Sequence, residues 1–198
     1  MNMVKECGKY TIECGFIYLN SVLRGSILYG AESMLNIKED EYRKIEQIEE
    51  EQMRLLFSTD RSCSIHLLYL EAGQIPGRYQ VKRMILNYLH YILQQPKNSL
   101  LSMMLMAQRD NPIKNDFYQT ALTIITELGI TETPDEIKCL KRSSFSKIVK
   151  EKCTKTAFQY LKHKQEKGSK GSGIKYTCLS MADYLCPEAD ISLKDQRE

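Results

Sequence analysis

Basic and aromatic side chains alternate in residues 74–93, and their spacing suits phosphate binding. Arg78 and Lys82 are four residues apart, so they share one face of a helix, and Arg83 lies within about one and a half turns of Arg78. Tyr79 is adjacent to Arg78. Such a face can hold two phosphates while an aromatic ring packs on a sugar or base. The same spacing is typical of a helix with a solvated basic edge and an apolar stripe, so that interpretation stays open.

A second basic region extends from residue 138 to residue 170. It contains eleven Lys or Arg and two Glu, a net charge of +9, whereas the rest of the chain carries −6. Such a region binds polyanions because it releases counterions condensed on phosphates, although a merely solvated lysine-rich helix has the same composition. The acids concentrate elsewhere, with seven of them in residues 39–51. The candidate phosphate contacts of the basic region are Lys147, Lys150, Lys155 and Lys162.

The sequence lacks the motifs that would indicate an enzyme. It has no phosphate-binding loop, no G-x-G-x-x-G or G-x-S-x-G turn, no kinase signature and no Asp-Asp pair. His66 and His90 lie among apolar residues, where packing is the expected role, and residues 49–51 (Glu-Glu-Glu) are expected on a solvated helix face. Seven cysteines form no C-x-x-C pair, which indicates a reducing compartment. We therefore expect no catalytic residue, no metal and no cofactor.

Apolar residues recur every three or four positions along most of the 198 residues, which predicts an all-α fold. Gly30, Gly73 and Gly129 are expected to end segments, and Thr133 is expected to cap one. No apolar run is long enough for a membrane span, and the first residues do not form a secretory signal. The predicted helices cover about residues 12–27, 39–57, 76–93, 100–108, 116–128, a short piece from 133, and 143–166.

The periodicity also predicts which side chains form the core. The second helix is expected to bury Tyr42, Ile45, Ile48 and Leu55. The basic helix is expected to bury a stripe made of Phe145, Val149, Cys153, Ala157 and Tyr160. Methionines are expected to fill the core rather than form a binding surface, namely Met53, Met84, Met103, Met104 and Met106.

Three strings occur in a fixed order: FIYLNSVLRGSILYGAESM, EEEQMRLLF and HLLYLEAGQIPGRYQVKRMILNYLHYIL. Together they resemble the region after the polymerase palm in reverse transcriptases of non-LTR (LINE-type) retrotransposons, in the lineage with a C-terminal restriction-enzyme-like endonuclease. LYGAES resembles the start of the thumb, and IPGRYQVKRM resembles the thumb helix beside the primer–template duplex. Residues 100–130 resemble the helical linker, and MADYLCPEADISLKDQRE resembles the lead-in to a zinc motif. Met34 and Gly77 depart from the pattern, where an aromatic residue and alanine are common.

The resemblance implies three regions and a function. Residues 1–96 would form a thumb-like helical bundle, residues 97–167 a helical linker with the basic helix, and residues 168–198 a flexible linker leading to a zinc and nuclease region. The chain would be a fragment that grips a template–primer without the palm carboxylates or the endonuclease, and so would be inactive alone. The phosphate contacts would be Arg78, Lys82 and Arg83, supported by Tyr79, with the four lysines of the basic helix as a second set.

The expected partner is an RNA–DNA or DNA duplex, in the nucleus or cytoplasm, with no membrane partner and no secretion. Apolar surface that the palm would cover predicts self-association. Three alternatives stay open. The chain could be a helical protein–protein interaction module whose acidic and basic helices are docking faces, an enzyme whose site the motifs do not reveal, or a remnant without function.

Overall fold

All regular structure in the part of the chain that the structure describes is helical, which confirms the predicted all-α fold. The computed structural model describes residues 12–33, 39–59 and 61–168. The predicted flexible linker beyond Gly168 and the lead-in to a zinc and nuclease region therefore lie outside the described residues. Cys7, Met34, Cys178 and Cys186 also lie outside them.

The helices follow one another through short connections. The chain enters through α1 (Ile12–Tyr18), which continues through a π-helical turn (Leu19–Leu23) into α2 (Arg24–Ile27) and then a 3₁₀ turn (Ala31–Ser33). The remaining helices, in chain order, are α3 (Glu39–Leu56), α4 (Ile65–Glu71), α5 (Gly77–Leu93), α6 (Leu100–Asp110), α7 (Phe117–Glu127), α8 (Pro134–Cys139) and α9 (Arg142–Gly168).

The predicted start and stop signals act as expected at several helix ends. Thr133 and Glu136 form a capping box at the start of α8, in which the Thr133 amide donates to the Glu136 carboxylate at 2.7 Å. Gly129 follows α7 with a φ of +60°, a left-handed conformation that a glycine adopts without strain. These local signals explain why the predicted boundaries lie close to the observed ones.

Helix α5 is the centre of the assembly, because α3, α6, α7, α8 and α9 all pack against it. Its first residue, Gly77, lies so close to α3 that a Cβ atom there would be 2.6 Å from the Ile45 side chain and 3.2 Å from the Glu49 carboxylate. An alanine at this position would therefore require the Ile45 side chain or α5 itself to shift.

One hydrophobic core joins the predicted bundle and the predicted linker. It includes Ile85 and Leu89 of α5, Ile124 of α7 and Val149 of α9. The boundary predicted near residue 96 therefore does not separate two cores. A second, smaller cluster forms where α1, α3, α4 and the end of α9 meet.

Two predicted core assignments were wrong, because α3 and α6 turn some of the expected core side chains toward solvent. On α3 the buried side chains are Glu49 and Met53, which continue the four-residue spacing from Ile45, whereas Ile48 and Leu55 face solvent. On α9 the predicted stripe is buried, with Tyr160 partly buried against the core and Leu161 continuing the stripe. On α6 only Leu105 is buried, so the methionines at 103, 104 and 106 are exposed.

A buried ion pair connects the first helices to α3 and α5. Arg24 Nε donates to Glu49 Oε1 at 2.7 Å, and both side chains are buried, with 5% of Arg24 and 1% of Glu49 exposed. Glu49 Oε2 accepts from the Tyr69 hydroxyl at 2.9 Å and from the Gly77 amide at 2.8 Å. Glu49 was expected on a solvated face, and that expectation was wrong, because each of its carboxylate oxygens has a buried partner.

The remaining donors of Arg24 are also satisfied. Its Nη1 donates to the side-chain oxygens of Asn20 at 2.7 Å and Gln74 at 3.0 Å, and its Nη2 donates to the Ile75 carbonyl at 2.7 Å. One guanidinium therefore holds the π-helical turn, α3 and the chain entering α5 in fixed relative positions.

We predict that Glu49→Gln lowers the free energy of unfolding by about 3–5 kcal/mol, because it leaves the Arg24 cation buried without a counter-charge. Urea denaturation followed by circular dichroism measures this. The control is Glu51→Gln, an exposed position two residues away, which should change stability by less than about 0.5 kcal/mol. Arg24→Met/Glu49→Leu should recover only part of the loss, since it removes both charges but leaves the Tyr69 hydroxyl and the Gly77 amide without their acceptor. Equal stability of Glu49→Gln and Glu51→Gln would contradict the assignment.

Candidate nucleic-acid interface

Arg78, the first predicted phosphate contact, is already paired with carboxylates. Its side chain is only 14% exposed. Its Nη2 donates to Glu46 Oε2 at 2.8 Å and to Glu39 Oε1 at 3.0 Å, and Nε also bonds Glu46. The hydrogen bonds that Arg78 donates to the Glu46 carboxylate raise the pKa of Arg78 above its usual value. The guanidinium carbon also lies 5.6 Å from the ring centroid of Tyr42 and 5.4 Å from that of Tyr160.

Tyr79 is a core residue, so its predicted supporting role at a nucleic-acid surface is not possible in this fold. Its ring is buried and packs 6.2 Å from the ring of Tyr160. Burial raises the pKa of the Tyr79 phenol to about 12. Stacking on a base would require the ring to leave the contact between α5 and α9, because a buried side chain cannot meet a ligand from solvent.

Lys82 and Arg83 have different surroundings although they are neighbours in sequence. Lys82 forms an ion pair with Glu127 at 2.5 Å and lines a cleft of about 400 Å³ together with Arg78. Arg83 does not line that cleft and has no ion pair with any described residue. Burial raises the pKa of the Cys153 thiol to about 11, and the charges of Arg83 and Lys82 partly oppose the shift. Both cations therefore lie near Cys153 of α9.

The four candidate lysines of α9 all face solvent. Successive buried residues of this helix are four positions apart, from Phe145 to Leu161, and the lysines lie outside that stripe. Lys147 is 79% exposed and makes only a 4.0 Å contact with Glu151. No ion pair with the described residues involves the other three. The helical rise places Lys147 and Lys162 about 22 Å apart along the axis.

Sequence reasoning missed three further cations from the last turn of α8 to the first residue of α9. Lys138, Lys141 and Arg142 are exposed and line a shallow depression with His90 and Gln94. The charge count over residues 138–170 already contained them, but only the fold shows that they line the same depression. Lys152 differs, since its Nζ donates to the Gly129 carbonyl at 2.7 Å.

The expectation that His90 packs among apolar residues is confirmed. His90 is buried, its ring stacks on Phe145 at 5.1 Å, and its Nε2 lies 3.0 Å from the Leu140 carbonyl oxygen. Within the described ranges, no group of three or more His, Cys, Asp or Glu side chains could hold a metal ion. No helix among these residues combines the length and apolar character that crossing a bilayer requires.

The described residues form an all-helical fold in which one long helix, α9, presents exposed lysines. Comparison of the chain with protein-family models, with curated proteins and with solved structures gives no significant match in any of the three.

We predict that Arg78 serves stability. Arg78→Ala should lower the free energy of unfolding by about 1–3 kcal/mol, because the half-buried Glu46 carboxylate loses its charged partner. Lys150→Ala is the control, since its exposed side chain should contribute less than about 0.5 kcal/mol. Thermal and urea unfolding measure both changes. An Arg78→Ala variant as stable as the wild type would show that the cation is not needed for the fold.

We also predict that the cysteines differ in reactivity at about pH 8. Thiolates react and thiols do not, so the buried Cys153 with its raised pKa should resist iodoacetamide in the native chain, whereas the exposed Cys139 should be alkylated. Mass spectrometry of peptides after timed alkylation distinguishes the two, and unfolding in urea should make their rates similar. Equal native rates would contradict the burial of Cys153.

Proposed function

We propose that this chain binds nucleic-acid duplex through the outward face of α9, without reading base sequence. The observation that supports this proposal most directly is the exposure of the lysines at 147, 150, 155 and 162. Among the described residues, only Lys147 has a carboxylate partner, and that partner is 4.0 Å away. Cations that are not neutralised within the protein are the ones that can displace counterions from phosphates.

The geometry of the row suits a duplex backbone. A span of about 22 Å covers roughly two thirds of the turn of B-form DNA, which is about 34 Å. Lysine ammonium groups contact phosphate oxygens without reading bases, so affinity should depend on charge and shape. Arg142, the first residue of α9, and Lys141 before it are also exposed.

The cleft at Arg78 and Lys82 is less suited to binding phosphate than the outward face of α9. Both cations of the cleft face carboxylates of Glu39, Glu46 and Glu127, so a phosphate would have to replace existing ion pairs there. At the surface of α9 a phosphate would replace only water and counterions. Arg83, which has no ion pair with the described residues, remains a candidate contact on α5, near Cys153 of α9.

The sequence resemblance supports a more specific form of this proposal. If residues 1–96 are the thumb of a non-LTR retrotransposon reverse transcriptase, the duplex is the template–primer, and the palm that copies it is a separate unit. The all-α fold is compatible with this role. In that form α9 belongs to the linker beyond the thumb and grips the duplex behind the polymerising end.

The test is the salt dependence of binding to a labelled duplex of arbitrary sequence. Wild-type affinity should fall steeply between about 50 and 200 mM salt. Lys150→Gln/Lys155→Gln should weaken binding and lower the slope of log K against log salt by about 0.9 for each lost contact. Fluorescence anisotropy measures both quantities.

The matched control is Lys44→Gln/Lys114→Gln, which removes the same charge from exposed positions outside α9. It should leave the slope unchanged. Unrelated duplexes of equal length should compete equally well. A wild-type affinity that does not change with salt, or the same slope change in both double variants, would contradict the proposal.

A protein–protein interaction module is the second candidate, and the acidic outer side of α3 favours it. Glu39, Asp40 and Glu41 are exposed at the start of this helix, while α9 presents the opposite charge. A partner with a basic surface would dock on α3. Binding of such a partner that survives Lys150→Gln/Lys155→Gln but is lost on Glu41→Gln would favour this function.

A further inference from the structure

The outward face of α6 is apolar, although nothing in the described residues covers it. Leu100 is 72% exposed, Met103 58% and Met104 53%, and Ala107 is exposed beside them. These positions follow the spacing i, i+3, i+4, i+7, which places all four on one side of the helix. The opposite side packs inward through Leu105 and Leu101.

Such a face differs from a scatter of exposed apolar residues. Contiguous apolar patches on proteins mark interaction sites, and the spacing i, i+3, i+4, i+7 is the one by which helices dock on other helices. Methionine suits this role because its unbranched side chain adapts to the surface it meets. The α6 stripe, defined as Leu100, Met103, Met104 and Ala107, therefore has the composition of a helix-docking seam.

We propose that the α6 stripe pairs with the α6 stripe of a second copy of this chain, with the two helices antiparallel. The stripe complements itself in that arrangement. Reversing the direction of one helix about the point between residues 103 and 104 places Leu100 opposite Ala107 of the second copy, and Met103 opposite Met104. Each large side chain then meets a small one at the ends of the seam, and methionines meet at the centre.

The charged residues at the two ends of the stripe also favour the antiparallel arrangement. Lys97 precedes α6, Asp110 ends it, and both are exposed without an ion pair to any described residue. In the antiparallel pair, Lys97 of one copy and Asp110 of the other lie at the same end of the seam. By two-fold symmetry this occurs twice. A parallel pair would instead bring like charges together at both ends, which is unfavourable.

The pairing is independent of nucleic-acid binding, because it uses α6 and not α9. It also differs from the self-association expected from the sequence, which relied on surface that a palm would cover. Here the surface is a specific helix face with a specific register, and the product is a closed dimer instead of an open aggregate.

The experiment is sedimentation velocity of the full chain over a concentration series up to about 0.1 mM. The wild type should show a monomer–dimer equilibrium with no larger species. Met103→Glu/Met104→Glu should raise the dimer Kd by at least about a hundredfold, because four charges would be placed in the seam. Circular dichroism should show unchanged helix content, since both positions face solvent in the monomer.

A charge-swap series tests the register. Lys97→Glu and Asp110→Lys should each raise the dimer Kd several-fold, because each places like charges at the ends of the antiparallel seam. The combined variant Lys97→Glu/Asp110→Lys should restore the wild-type Kd. Restoration supports the antiparallel pair, and its absence overturns that arrangement. A wild type that stays monomeric, or association that survives Met103→Glu/Met104→Glu, overturns the proposal.

Discussion

Charge that is removed from water must be paired, and this requirement determines how several of the described helices pack together. Its strongest expression is the buried pair of Arg24 and Glu49, in which four hydrogen bonds satisfy the guanidinium and two further donors satisfy the carboxylate. The pair fixes where α3 meets the start of α5. Gly77 completes the junction, because its amide donates to Glu49 and its missing side chain leaves room for Ile45.

The cations fall into two groups, those paired with carboxylates inside the fold and those exposed on α9. Those near the central helix, such as Arg78 and Lys82, are held by Glu39, Glu46 and Glu127 and contribute to the packing of α3, α5 and α7. Those on the outward side of α9 have few acidic neighbours and remain available to a partner. A chain with a net charge of only +3 therefore contains one strongly basic region, because residues 138–170 hold eleven cations and two acids while seven acids lie in residues 39–51.

The sequence was sufficient for the all-α class, for most helix boundaries and for the exposure of the α9 lysines, because periodicity and capping residues are local signals. The sequence did not predict that Glu49 and Tyr79 are buried, or that the methionines of α6 are exposed. Whether Glu49 is buried depends on Arg24, which is 25 residues away, and the sequence does not show that α9 lies over Tyr79. Contacts with other helices determine whether these side chains are buried. An apolar residue such as Met103 can face solvent when its helix buries only a narrow side.

The most direct measurement is lysine acetylation of the native chain, with and without a bound duplex, followed by mass spectrometry. The account predicts that the duplex protects Lys150, Lys155 and Lys162, while Lys44 reacts equally in both samples and Lys82 stays slow in both because its ammonium is paired with Glu127. Protection at Lys44 as strong as that on α9, or no protection on α9 when the duplex is bound, would contradict the claim that the unpaired cations of this helix form the interface.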